Sequence, residues 1–164
     1  MDDGVLFDMN STRLISYLKT KANEHYDIPE TTETIGWRTF SPNKYLKSVT
    51  IPSSVLNIGV HAFEMCSNLT SVAFPPGLKR IGTEAFRGSG IRDVVLPDDA
   101  VVTGSGIFYD CHSLTNVVIS EGRTEIPSST FYNCDKLHAV LIPETVKNIG
   151  GSAFRNCYAL SQIM

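Results

Sequence analysis

The sequence predicts a solenoid: a coil of stacked units about 23 residues long, each contributing one short strand to a parallel sheet. Three observations predict it. The first is a file of phenylalanines, Phe40, Phe63, Phe86, Phe108, Phe131 and Phe154, at steps of 23, 23, 22, 23 and 23 residues. A fixed period in the range of 20 to 50 residues is the signature of a repeat array. The second is an apolar string that recurs with them. Leu46, Val49 and Ile51 before Pro52 return as Leu69, Val72 and Phe74 before Pro75, and as Leu137, Val140 and Ile142 before Pro143. The third is a second string, Ile-Gly-x-x-Ala-Phe, at Ile58–Phe63, Ile81–Phe86 and Ile149–Phe154. No single unit can bury such residues, so stacking must do it.

The N-terminal segment, residues 1–22, reads as a hairpin cap: Gly4–Asp8 and Arg13–Leu18 are β-prone runs around a polar turn. Residues 23–164 read as the solenoid proper. Its first unit, 23–45, is degenerate, because Asn23 stands where later units carry leucine, but Ile28, Ile35 and Phe40 keep the period. Full units start at Leu46, Leu69, Ile91, Leu114 and Leu137, and a partial unit occupies 160–164. In each, apolar residues alternate towards the end of the strand run, the pattern of a half-buried strand. Proline then ends the strand, because it has no N–H to donate. The Ile-Gly-x-x-Ala-Phe string is too short for a helix and reads as a turn of 3₁₀-like or irregular backbone. Stacked at about 4.8 Å per coil, six or so coils make a rod roughly 30 Å long. The one short step falls at Arg87–Gly90, where two glycines suit a tight corner, and Thr103–Phe108 is expected to be the least regular loop.

These residues resemble a known family. The pattern Leu-x-x-Val-x-Ile-Pro…Ile-Gly-x-x-Ala-Phe-x-x-Cys-x-x-Leu is similar to the BspA-type leucine-rich repeat across roughly residues 23–164. The resemblance implies a curved, right-handed leucine-rich-repeat solenoid. It also implies a secreted or surface-attached protein of the kind that host-associated bacteria and some mucosal parasites carry, several of which are implicated in adhesion to host proteins. The family motif contains no catalytic residue, and none is carried over. The fourth unit departs from the pattern at Ser120, Pro127 and Thr130.

Composition narrows the function classes. With 42 % hydrophobic and 19 % charged residues the chain can build a core. A net charge of −3, with no basic patch, argues against nucleic acid as a partner. No apolar run reaches the roughly 18 residues of a membrane helix. No signal peptide is visible, and the chain stops a few residues into a unit. The chain is therefore expected to be either cytoplasmic or, as the stop within a unit favours, a piece of a longer secreted chain, and with the resemblance the expectation is an extracellular or cell-surface setting. Its open last strand is expected to promote self-association, since free edges template pairing.

Candidate chemistry is sparse, and no cofactor is implied. Cys66, Cys111, Cys134 and Cys157 occupy one repeat position, three residues after the phenylalanine. Stacked at about 4.8 Å, such a column is too widely spaced for disulfides, which want Cβ atoms about 3.8 Å apart, and too linear for zinc. Buried free thiols are expected. His25, His61, His112 and His138 fall at unlike repeat positions and are expected to be exposed or locally hydrogen-bonded. Arg92, Asp93, Asp98 and Asp99 form the densest charge cluster, which reads better as a solvated turn than as an acid/base pair. Asn10 and Asn68 open glycosylation-type triplets that matter only in a eukaryotic secretory pathway.

The sharper expectation concerns strand residues that face away from the core. The fifth strand position reads Thr50, Ala73, Val95, Val118, Leu141 and Met164, growing more apolar towards the C-terminus. The second reads Lys47, Thr70, Arg92, Thr115 and His138. On a solenoid these become parallel stripes, and an apolar stripe with a polar rim is a candidate interaction surface. The expected role is a non-enzymatic binding or adhesion module that presents this face to a protein, such as a host extracellular protein, or to a glycan. Alternatives are a structural spacer within a longer repeat protein, and an enzyme of the parallel β-helix kind, for which no convergent carboxylates are evident.

Overall fold

The computed structural model describes residues 4–98 and 102–164, and Asp99 of the acidic cluster lies outside them. Strands β1 (Val5–Phe7) and β2 (Arg13–Tyr17) form the expected hairpin, antiparallel, with a register irregularity between Leu6 and Phe7. The Asp8 carboxylate closes the turn, accepting from the Thr12 and Arg13 N–H groups at 2.9 and 3.0 Å. These bonds hold the carboxyl below its ordinary range, Arg13 first among the causes. The hairpin is built into the coil: β2 pairs in parallel with β4 (Thr34–Ile35), Leu14 opposite Ile35.

Successive coils wind at the expected step, and among the described residues there is no helix. Each coil runs past two ladders. The first carries the strands read from the Leu-x-x-Val string: β3 (His25–Asp27) with β5 (Ser48–Thr50), then β8 (Asp93–Leu96), β10 (Asn116–Ile119), β12 (Ala139–Leu141) and β14 (Gln162–Ile163). The second ladder is an addition to the sequence reading, which took Ile-Gly for a turn. It comprises β4, β6 (Asn57–Ile58), β7 (Arg80–Ile81) and β9 (Val102–Thr103), with β11 (Glu125–Ile126) and β13 (Asn148–Ile149) as a separate pair. The motif isoleucine lies in a strand because the next residue bonds coil to coil. The N–H groups of Gly59, Gly82, Gly104 and Gly150 each donate at 2.8 Å to Ile35, Ile58, Ile81 and Ile126 in the coil before.

That bond also explains the glycine. A Cβ on Gly82 would sit 2.4 Å from the Val60 nitrogen, inside the backbone of the neighbouring coil. Beyond it the chain arches over the phenylalanine through two left-handed residues. The first lies two positions before the ring (Arg38, His61, Glu84, Gly106, Ser129, Ser152) and the second two positions after it (Met65, Gly88, Asp110, Asn133, Asn156), with φ between 50° and 63°. Thr103–Phe108 shares this geometry, so the expected irregular loop is an ordinary arch.

Inside, the rings stack in a single file. Centroids of Phe40, Phe63, Phe86, Phe108 and Phe131 lie 4.8, 5.0, 5.7 and 5.8 Å apart, and Phe154 follows at 5.3 Å. Tyr17 of the hairpin closes the file 5.1 Å from Phe40. Leu46, Leu69, Ile91, Leu114 and Leu137 are fully buried beside it.

The first ladder is broken at the unit that begins with Leu69. Among the described residues the N–H groups of Ser71, Val72, Ala73 and Phe74 make no backbone hydrogen bond, and no strand forms there. Two sequence features coincide. Phe74 is a ring where the other units place Ile51, Leu96, Ile119 and Ile142, and it turns edge-on to Phe86 at 5.8 Å. Pro75 and Pro76 then follow as a pair, which fixes two φ angles and removes two donors.

The second ladder is broken between β9 and β11, at Arg123. This side chain occupies the position of the buried Val55 and Leu78, yet it is 3 % exposed. Its guanidinium donates to the carbonyls of Pro97, Asp98 and Glu125 at 3.1, 2.8 and 2.9 Å, and to the Thr103 hydroxyl. The main chain around Ser120 keeps the turn that proline makes elsewhere, with the Arg123 N–H on the Ser120 carbonyl at 2.9 Å. The fourth unit's departures are thus absorbed locally: Thr130 is buried and its hydroxyl donates to Pro127 O at 2.6 Å.

Candidate binding face

Parallel pairing in register sets the apolar stripe. Val95 lies opposite Val118, and Val118 opposite Leu141. All three are exposed, at 54 %, 39 % and 45 %, and Met164 continues the line at 64 %. Their sequence neighbours Val94, Val117 and Val140 point into the core, as a period of two requires.

The ten predicted face residues fall into separate groups. Arg92, Val95, Thr115, Val118, His138 and Leu141 border or lie on the β8–β10–β12–β14 sheet. Lys47 and Thr50 belong with β3 and β5, on the far side of the break. Lys47 is tied to Glu24 at 2.7 Å, and Thr50 lies 3.4 Å from the His25 ring. Thr70 and Ala73 lie in the unpaired unit between them, both exposed. The C-terminal rim is cross-braced: Thr115 donates to the Arg92 carbonyl at 3.0 Å, and the Asn116 amide donates to Asp93 at 2.6 Å. Asp93 therefore serves as an acceptor between strands. At the broken unit the face opens into a groove of about 530 Å³, whose apolar walls include Val72, Phe74, Val94, Val95, Pro97 and Val118.

The cysteine column stands as expected. All four thiols are free; Cys66, Cys111 and Cys134 are buried and Cys157 half-buried. Each donates to the carbonyl of the phenylalanine one coil back: Phe40, Phe86, Phe108 and Phe131, at 3.5, 3.2, 3.2 and 3.1 Å. Burial disfavours the thiolate, pushing Cys66 up to about 12 and Cys111 and Cys157 to about 11, and Cys134 moves upward for the same reason.

Three histidines behave as read. His25 bonds Ser48 and Asp27 at 2.7 and 2.9 Å, His112 bonds Asp135 at 2.9 Å, and His138 is exposed. His61 does not. It is half-buried on the arch edge, with Glu64 and Glu84 around its Nδ1. The signal was in the numbering: Glu84 holds the same repeat position as His61 one unit later, and Glu64 follows Phe63 directly. On either side the arch edge carries further charge and aromatic contacts. Arg38 pairs with Glu64 at 3.0 Å; Arg87 pairs with Glu84 at 3.0 Å and with Asp110 at 3.3 Å. Arg87 also lies over the Tyr109 ring, which stacks on Tyr132 at 4.6 Å.

Comparison with known proteins agrees with this architecture. A family model described as a BspA type leucine rich repeat region matches residues 16–89 and 33–161, in six copies. A leucine-rich repeat protein from Eubacterium ventriosum superposes with a TM-score of 0.79 at 29 % identity, over 96 % of this chain and 43 % of that one. The pneumococcal vaccine antigen PcpA gives 0.76 at 26 % identity, over 90 % of this chain and 41 % of its own. A leucine rich cell surface protein from Faecalibacterium prausnitzii gives 0.67 at 28 % identity, over 99 % of this chain and 53 % of its own. The chain thus spans about half or less of the length of these structures. A search of curated proteins finds no match.

Proposed function

This chain belongs to the BspA-type leucine-rich repeat family, and on that premise we propose that it is a non-enzymatic binding module displayed outside the cell, docking a protein partner on the C-terminal sheet. One observation carries the reading: Val95, Val118 and Leu141 form an unbroken exposed apolar row on a rigid parallel sheet. The polar neighbours Thr115, Asn116 and Asp93 are spent on bonds between coils, so they rim the row and leave the apolar atoms as the contact. Covering such a row removes apolar surface from water, a gross driving force of roughly 25 cal/mol per Å², of which only the surplus over the costs of association appears as affinity. An extracellular setting is supported by the Faecalibacterium relative, a leucine rich cell surface protein, and by the pneumococcal one, a vaccine antigen.

The test is a panel of immobilised extracellular proteins and glycans, screened with the purified chain and with the double variant Val118→Lys, Leu141→Lys. Both sites are exposed, so the variant should keep the wild-type circular dichroism and melting midpoint. Its binding to any partner found should fall at least tenfold. Undiminished binding by the double variant removes the stripe as the site. A chain that binds nothing favours the spacer reading, in which the sheet serves only to hold the coils in line.

A further inference from the structure

We infer that His61, Glu64 and Glu84 form a divalent transition-metal site that pins two adjacent coils together. This is independent of the sheet face, which lies on other elements. His61 and Glu84 occupy the same left-handed position of successive arches, with φ of 55° and 52°, so their side chains leave the backbone in the same sense one coil apart. Glu64 stands beside them on the His61 arch. Nδ1 of His61 lies 3.6 Å from Glu64 Oε1 and 3.8 Å from Glu84 Oε2, and all three ligand atoms fall within 4.8 Å of one another.

These gaps are too long for hydrogen bonds and within a few tenths of an ångström of those around a shared ion. An N–H···O bond needs about 2.7–3.2 Å. A tetrahedral ion with bonds of about 2.1 Å holds its ligand atoms roughly 3.4 Å apart. A second observation points the same way. Nδ1 is shielded from solvent and finds no hydrogen-bond partner among the described residues, a state that asks for an explanation in any buried polar atom. Its ring faces two carboxylates, each of which is paired with an arginine. Glu64 Oε2 is ion-paired with Arg38 at 3.0 Å and accepts from the Ser41 hydroxyl at 3.2 Å, leaving Oε1 for the ion. Glu84 Oε2, the oxygen nearest Nδ1, itself accepts from Arg87 at 3.0 Å, so an ion would share that oxygen with the guanidinium or take the other one, and Arg87 in turn holds Asp110 at 3.3 Å. Outer partners of this kind orient ligating carboxylates in metal sites.

The arrangement is specific to this pair of coils. The same two arch positions elsewhere read Arg38 and Ser41, Gly106 and Tyr109, Ser129 and Tyr132, and Ser152 and Arg155, none of which repeats the donor set. One imidazole nitrogen with two carboxylate oxygens suits zinc and its neighbours better than calcium or magnesium, which prefer all-oxygen shells. A solvent molecule would complete four-coordination, since the three side chains are 13–27 % exposed and the site opens outwards.

The experiment titrates zinc chloride into metal-free protein by calorimetry, with the melting midpoint followed in parallel. One equivalent should bind and raise the midpoint, because an ion that binds only the folded chain stabilises it. His61→Gln and Glu84→Gln should each weaken binding at least tenfold and abolish the midpoint rise, while circular dichroism confirms that they fold. Cys157→Ser and His112→Gln remove two other accessible donors and should change nothing. Absence of saturable binding overturns the proposal. So does binding that survives both His61→Gln and Glu84→Gln, or binding lost with Cys157→Ser or His112→Gln.

Discussion

Single residues set the distance between coils. Gly82 is held at its place by the backbone of the coil before it, 2.4 Å from where a Cβ would go. Gly151, one unit from the C-terminal end, has nothing within 4 Å of such an atom. The two glycines therefore respond oppositely to one methyl group. Gly82→Ala must push two main chains apart and is expected to cost about 3 kcal/mol, at the upper end for overpacking. Gly151→Ala should be neutral or stabilising by about 0.5 kcal/mol, through the unfolded chain. Urea denaturation of the two variants beside the wild type checks both. The motif glycine was visible in the sequence, but its reason was not, since a period says nothing about how closely two backbones pass. Arg123 was not legible at all. It sits at a core position, and only the carbonyls of Pro97, Asp98 and Glu125 around it explain why a cation is tolerated there.

The arch is the element where sequence pattern and packing agree most closely. Cysteine follows phenylalanine by three residues in the arches of Phe63, Phe108, Phe131 and Phe154, and each thiol reaches the carbonyl of the phenylalanine one coil back. The reading of these cysteines as buried thiols followed from their spacing, since equivalent positions in stacked coils cannot converge, and from the preference of free cysteine for the interior. Their burial has a consequence for pH. The ordinary thiol value is 9.0, and burial raises Cys66 to about 12 and Cys111 to about 11 in the folded chain. A raised folded value means that the folded state keeps its proton after the unfolded chain has lost it. The associated stability is complete below pH 9 and is lost as pH rises towards 11 and 12. Each such thiol should cost about 1.4 kcal/mol per pH unit across that window. Unfolding free energies measured at pH 8 and pH 10.5 should fall more steeply for the wild type than for Cys111→Ala, which has no proton to lose there. Equal slopes would mean that the column is accessible to solvent.

At the scale of the whole molecule, the stacking was legible and the seams were not. The phenylalanine period fixed the coil, and the alternation of Val94, Val95 and Leu96 fixed which side chains face out. The break at residues 71–74 arises from the bulk of Phe74 and from consecutive prolines, effects that depend on three-dimensional fit to Phe86. The His61 cluster likewise needed the arch geometry before repeat position could be turned into proximity. Continuity of the two ladders at that point differs, and hydrogen exchange should report it. Amides of Val72 and Phe74 have no main-chain acceptor and should exchange fast, while the Gly59 and Gly82 amides, bonded at 2.8 Å on the opposite ladder, should be protected. Comparable protection at all four positions would show that the first ladder closes in solution.

The corner at Gly90 has a bearing on how such a chain can change length. There the loop is one residue shorter than its counterparts, and a Cβ on Gly90 would lie 2.2 Å from the Ser67 carbonyl oxygen; the missing residue is taken up at this corner while the second ladder continues in register, Ile81 opposite Thr103. A whole duplicated unit would meet the same neighbours as its parent and lengthen the wall by one rung. A single inserted or deleted residue is tolerated only where a corner like this one can swallow it. Growth by complete rungs, with small errors confined to corners, lets heredity adjust reach without redrawing the surface that does the touching.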